Sequence, residues 1–161
     1  MLPHKHVLIS AAVGAVGWWG TGTPAAGLAA LATGVLPDLD HLIDYSYYYW
    51  RGDHRIILPL HGYEYAVCGA IVALRNSDQI LGVAVFSYLV HLLADQAENR
   101  TKLWGYSLSF RLWQRFRLDH ISTVPEAAVR GRDDDLAMLK GLLQRWRKHL
   151  ERGEESGLGD G

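Results

Sequence analysis

From His6 to Pro37 the chain carries no Asp, Glu, Lys or Arg, and this run constrains the fold more than any other feature. Gly20-Thr21-Gly22-Thr23-Pro24 divides it. Thr23 before Pro24 reads as a helix N-cap followed by proline at the first helical position. Two helices are expected, His4 to Trp19 and Ala25 to Val35, the second ending at Leu36-Pro37. Each is shorter than the roughly 20 residues needed to cross hydrocarbon. Hydropathy alone therefore admits two settings, a membrane-associated bundle and a compact soluble helical domain. The alanines and glycines of the second stretch permit close helix packing in either.

Further along, Asp38 to Asp53 is a polar, aromatic segment containing Tyr45, Tyr47, Tyr48, Tyr49 and Trp50. A third helix is expected from about Leu60 to Leu74. Arg75-Asn76-Ser77-Asp78 then supplies a turn and a new N-cap. The fourth helix, Gln79 to about Glu98, is strongly apolar in its first half. Leu108 to Phe116 alternates aromatics with Arg111 and Arg115. Asp133-Asp134-Asp135 opens a final amphipathic helix, Leu136 to about Leu150, with basic residues near its end as the helix dipole favours. Gly153 to Gly161 reads as a frayed tail. The expected fold is all-α, a compact, membrane-associated bundle of about five to six short apolar helices. Residues 1–130 would form a helical metal-site domain and 131–161 the C-terminal amphipathic helix and flexible tail.

The length of 161 residues suits one domain, and 49% apolar against 20% charged residues excludes a disordered body. A single cysteine, Cys68, excludes a disulfide framework and a cysteine-based zinc site, and suits a reducing compartment. The N-terminus lacks the basic cluster of a secretory signal. The net charge of −1 conceals an uneven distribution. Residues 1–100 hold 5 basic and 8 acidic side chains, residues 101–161 hold 11 and 9, and six of the 8 histidines fall within the first 91 residues. The basic residues after position 100 favour a cytoplasmic C-terminal half.

The acids of the apolar half sit beside its histidines. Asp38-Leu39-Asp40-His41 follows an apolar helix, where desolvated carboxylates need a counter-charge and a divalent cation is an economical one. A bland reading makes one aspartate a cap for the next helix. If Leu60 starts a helix, His61 and Glu64 share a face within reach of one metal, although for this pair taken alone a local hydrogen bond at a helix start is the better explanation. His91 and Asp95 lie one helical turn apart on an apolar helix, a zinc-type donor pair, and Glu98 continues that face. Helices packed side by side could bring these helix-end clusters together. No GxGxxG, P-loop, GxSxG or HExxH motif is present. Nucleic-acid binding is not indicated, since Arg111, Arg115 and Arg117 read equally well as a solvated or membrane-surface face.

Gly34-Val35-Leu36-Pro37-Asp38-Leu39-Asp40-His41 resembles the Leu-Pro-Asp-x-Asp-His signature of the YdjM-like family of membrane-bound metal-dependent hydrolases, some of them LexA-regulated. The order of blocks agrees over about residues 4–116. His6 opens an apolar helix, His54-Arg55 and His61 form a middle block, and Tyr88-Leu89-Val90-His91-Leu92-Leu93-Ala94-Asp95 is the last. The middle block departs from the family: six residues separate His54 from His61, Leu60 and Gly62 replace Thr and Ser, and Glu64 and Glu98 are additional acids. The family is similar, more distantly, to helical zinc-dependent phospholipases C and single-strand nucleases.

The resemblance implies a hydrolase of phosphoester bonds in a small molecule or lipid, at the inner (cytoplasmic) membrane. It implies a divalent metal site, zinc first, built from Asp38, Asp40, His41, His61, His91 and Asp95 with His6. That many donors exceed one tetrahedral shell and suggest two ions. Glu64 is the expected general base and Arg55 the expected neutraliser of an anionic group. The rival class is a non-enzymatic helical membrane protein whose His/Asp network is structural or binds metal without turnover.

Overall fold

The structure is a computed structural model that describes the backbone of residues 3–157 and the side chains of residues 4–148. Helix α1 spans Pro3–Thr21, α2 Pro24–Val35, α3 Asp40–Arg51, α4 Tyr63–Asn76, α5 Gln79–Glu98, α6 Leu108–Trp113, α7 Leu118–Ile121 and α8 Pro125–Gly157, with a 3-10 turn at Leu36–Leu39 between α2 and α3. Among the described residues the only β-type pairings are two isolated bridges, Arg55 with Arg117 and Thr101 with Ser122. The fold is all-α.

Several boundaries follow the local chemistry expected of them. The Thr23 hydroxyl accepts from the Ala25 N–H, and Asp78 caps α5 by accepting from the Leu81 N–H at 3.0 Å. Others differ. Helix α2 ends at Val35, as expected before Leu36-Pro37, but the chain stays helical beyond it: the missing N–H of Pro37 falls at the start of the 3-10 turn, where no partner is needed, and α3 follows. The polar aromatic segment is therefore mostly helix, closed by Gly52 at φ 66°. Helix α4 starts at Tyr63 rather than Leu60, because Gly62 is extended and Leu60-His61-Gly62 is irregular. Helix α8 begins at Pro125, so the Asp133–Asp135 triplet lies inside it instead of opening it. The expected division at residue 131 falls within that helix. Of the expected frayed tail, Gly153 to Gly157 is helical and residues 158–161 lie outside the described residues.

Helices α1, α2 and α5 pack on one another, and α4 packs on α5. Their interior is small or polar. Ala26, Ala30, Ser10, Ser87, His6, His91 and Asp95 are buried, while Trp19 is 88% exposed, Trp50 82% and Leu74 80%. Across the helices the Ser87 hydroxyl donates to the Ala30 carbonyl at 2.7 Å and the Thr33 hydroxyl to the Ala84 carbonyl at 2.8 Å. Two stretches, Pro24–Arg51 and Gln79–Glu98, are long and apolar enough to cross a membrane by length and composition, which lends weak support to membrane association. The 28-residue first stretch runs from α2 through the 3-10 turn into α3, while α2 alone, at 12 residues, is as short as expected.

Close approach at the three-helix junction depends on Gly34. A Cβ there would overlap Ser10 and come within 2.8 Å of the Ser87 hydroxyl oxygen. Replacing Gly34 by Val should therefore destabilise the protein by about 1–3 kcal/mol through overpacking. Gly82→Ala, where an added Cβ meets nothing within 4 Å, should be neutral or better. Thermal melts of both variants in the same detergent would check this contrast.

Candidate metal centre

Five elements each contribute to one buried cluster. α1 supplies His6, the 3-10 turn Asp38, α3 His41, the loop before α4 His61, and α5 both His91 and Asp95. The donors fall into two overlapping groups: His6, Asp38, His91 and Asp95, and Asp38, His41, His61 and Asp95. Within each group one ligand atom per residue lies within 4.8 Å of all the others. Asp38 and Asp95 belong to both, as carboxylates shared by two neighbouring positions would.

The imidazoles are oriented by their outer nitrogens. His61 Nδ1 lies 3.0 Å from the Asp40 carboxylate, and His91 Nδ1 lies 2.9 Å from the Gly34 carbonyl oxygen. Both acceptors call for a proton on Nδ1, which leaves each Nε2 pointing inward. The two Nε2 atoms are 3.0 Å apart. Nitrogens that close need a proton or a cation between them, because two facing lone pairs repel. Tetrahedral zinc with bonds of about 2.0–2.1 Å would set its nitrogen ligands roughly 3.4 Å apart, so the observed spacing suits a shared ion after a small relaxation.

Carboxylates surround this pair. His61 Nε2 is 3.3 Å from Asp95 Oδ2 and 3.9 Å from Asp38 Oδ1, and His91 Nε2 is 3.7 Å from Asp38 Oδ1. His6 Nε2 lies 2.9 Å from Asp95 Oδ1. His6 Nδ1 and Asp38 Oδ2 are buried and without a hydrogen-bond partner, which is unusual for polar atoms in a folded interior and fits donors meant for an ion. His41, a third exposed on its side chain and 3.9 Å from Asp38 Oδ1, closes the more open side. Burial alone would lower the His61 pKa, but hydrogen bonds to Asp40 and Asp95 outweigh it and the net shift is upward.

No protein-family model, curated protein or solved structure matches the chain. The site is read from its own residues.

Of the expected ligands, His6, Asp38, His41, His61, His91 and Asp95 come together. Asp40 stands one layer out, accepting from the Leu60 N–H at 2.8 Å while orienting His61. The two expected catalytic residues are elsewhere. The Glu64 carboxylate accepts from the Ser107 hydroxyl at 2.7 Å and from the N–H groups of Leu108 and Ser109 at 2.9 and 3.0 Å. It caps α6 and does not face the histidines, since α4 begins too late to put it on His61's face. Burial would raise its pKa, but those bonds dominate and hold it down to about 2, the opposite of a general base near neutrality. Arg55 is 51% exposed on its side chain and pairs with Asp53 at 3.3 Å. Glu98 pairs with Lys5 on the surface. His54 meets Tyr48 and Asp133, at 3.3 and 3.2 Å.

Three residues that sequence reasoning left out hold the loop carrying His61. Arg111, expected on a solvated face, is 1% exposed. It donates to the Leu58 carbonyl at 2.9 Å and to the His61 carbonyl. The Tyr88 hydroxyl accepts from the Gly62 N–H at 2.9 Å and donates to the Leu60 carbonyl at 2.7 Å. Asp44 accepts from the Ile57 N–H at 2.6 Å. Each left some signal: Arg111 as a lone cation between Phe110 and Leu112, Tyr88 at the head of the block that ends at Asp95, and Asp44 three residues after His41.

Glu64→Gln should lower stability by about 1 kcal/mol, as expected for a weakened cap, and leave metal content unchanged. The depressed carboxyl stabilises the fold above its ordinary value of 4.5, and that contribution is lost as pH falls toward about 2. The stability gap between wild type and variant should therefore be constant above about pH 5 and narrow below it. Denaturant titrations at several pH values would show this.

Proposed function

We propose that the chain is a membrane-associated, metal-dependent hydrolase of the YdjM-like type, acting on phosphoester bonds. The observation that carries this reading is the pair of inward nitrogens on His61 and His91, 3.0 Å apart and ringed by Asp38 and Asp95. A donor set of imidazoles and carboxylates suits zinc, and the two groups sharing both aspartates suit two ions. The basic C-terminal half is assigned to the cytoplasmic side of the inner membrane on the charge rule.

Bound divalent ions would polarise a phosphoryl oxygen and acidify water at neutral pH. The protein's own groups set the conditions for that chemistry. Asp40 and the Gly34 carbonyl fix the tautomers and planes of His61 and His91. Tyr106, buried at 3% exposure, places its hydroxyl 3.4 Å from Asp95 Oδ2 and keeps water from that flank. His41 is the one member of the cluster with substantial solvent access, so substrate is expected to approach over it and protons to exchange with solvent there.

Metal analysis of protein purified without chelator should find a divalent ion, zinc first. His91→Ala and Asp95→Ala should each lose it, whereas Arg55→Ala should retain both metal and activity. A phosphodiester and phospholipid substrate panel, run with and without chelator, then tests turnover. Stoichiometric metal in both His91→Ala and Asp95→Ala would sink the assigned site. Metal that binds with no chelator-sensitive turnover would leave a binding protein in place of an enzyme.

A further inference from the structure

Beside the His/Asp cluster lies an open cavity of about 310 Å³, lined by α3, Ile56 and Leu58 of the following loop, α6 and the segments on either side of it, and α8. His41 and Tyr106 line it on the cluster side, and Arg111 and Arg132 line it elsewhere. Both guanidinium groups are buried, at 1% and 9% exposure, and the Nε of each is buried without a partner. Arg132 pairs with Asp44 at 2.7 Å and stacks 4.7 Å from the Tyr48 ring centroid. Arg111 spends its terminal nitrogens on two backbone carbonyls and has no carboxylate ion-pair partner among the described residues.

Charge around the cavity does not balance from within. On the wall itself two buried cations face one buried anion, Asp44, while Asp40 and Glu64 act on Arg111 from behind the wall without contacting it. The other acid on the wall, Asp135, is exposed and already accepts from the Tyr45 hydroxyl at 3.1 Å. A buried guanidinium without a counter-ion is costly, and arginine is the side chain best shaped to bind tetrahedral oxyanions. The volume, at the lower end of ligand pockets, suits a phosphate with a small substituent.

We infer that this cavity is an oxyanion subsite, in which Arg111 and Arg132 receive the phosphate of a phosphoester next to the metal cluster. This rests on the proposed hydrolase function for the identity of the reacting group, but the binding it claims does not require turnover. Helix α8 supplies one wall through Gly131 and carries Arg132, so the C-terminal helix is part of the site and not an appendage to it. The phosphate could come from a free metabolite or from a lipid headgroup, which share this chemistry.

Binding of inorganic phosphate, and separately of a short-chain phosphatidic acid, should be measured by calorimetry on the full chain in detergent. Metal content should be determined on the same samples. Arg132→Gln removes a cation, and Gly131→Leu fills the cavity from a helix position where a Cβ meets nothing within 4 Å. Leucine also favours helix over glycine, so this variant should fold. Each should weaken binding about tenfold or more, the loss expected for a charge-assisted contact or a blocked pocket, with metal content unchanged. Binding of phosphatidic acid alone, lost in both variants, would assign the subsite to a lipid headgroup. Binding of both probes with the same losses would assign it to the phosphate group itself.

Binding equal to wild type in both variants would overturn the subsite while leaving the metal centre standing. So would the absence of binding by either probe to metal-loaded wild type. Variant-sensitive phosphate binding in a protein that holds no metal would instead sustain the subsite and defeat the hydrolase reading.

Discussion

The cost of burying charge governs this structure. Asp40 and Asp95 are fully buried and Asp38 is 17% exposed on its side chain, in an interior shared with small residues such as Ala26, Ala30 and Ser87 and with Tyr48, Leu92 and Tyr106. Isolated carboxylates in such a medium would cost several kcal/mol each. The fold answers in part with hydrogen bonds: Asp40 accepts from a backbone N–H and pairs with an imidazole. Even so, Asp40 Oδ1 and Asp38 Oδ2 are each buried without a hydrogen-bond partner, so both carboxylates keep acceptor capacity that the protein itself does not fill.

The second constraint is the loop from Ile57 to Gly62, which has no secondary structure of its own to place His61. Four side chains from three other elements bond its backbone: Asp44 and Asp40 from α3, Tyr88 from α5 and Arg111 from α6. Glu64 then ties α6 to the start of α4. Each bond satisfies a backbone group that would otherwise be buried unmade, so the loop is rigid without being helical. A ligand held in this way keeps its direction, which a metal centre requires.

The donors were legible in the sequence because they are local: Asp38 to His41 in one block, His91 and Asp95 at one helical turn. What failed was what depends on tertiary partners. Glu64 looked like a base because a helix start at Leu60 would have turned it toward His61. Gly62 delays that start, and the carboxylate goes to α6 instead. Arg55 beside His54 looked functional by adjacency, whereas the cation that reaches the site, Arg111, comes from a segment whose alternation of aromatics and arginines resembles any surface helix. Much of the aromatic run is explained by α8, since Tyr45 and Tyr48 donate to Asp135 and Asp133 and Arg132 stacks on Tyr48. Nothing local announces such contacts.

The opening stretch without charge acquires a different meaning from this arrangement. Its large apolar side chains point outward, and the small and polar ones point in. In lipid the hydrophobic effect gives helices no reason to associate, so packing of small residues and polar contacts must hold the bundle together. Here Gly14 and Gly27 let α1 approach α2, and His6, Asp38, His91 and Asp95 join α1, the 3-10 turn and α5 at one end. An ion shared by those donors would link helices whose other contacts are made largely by small and polar residues, among them Gly14, Gly27, Ala30, Thr33 and Ser87. Such an ion would be part of what closes the bundle, and removing it would loosen the packing of α1 against α5.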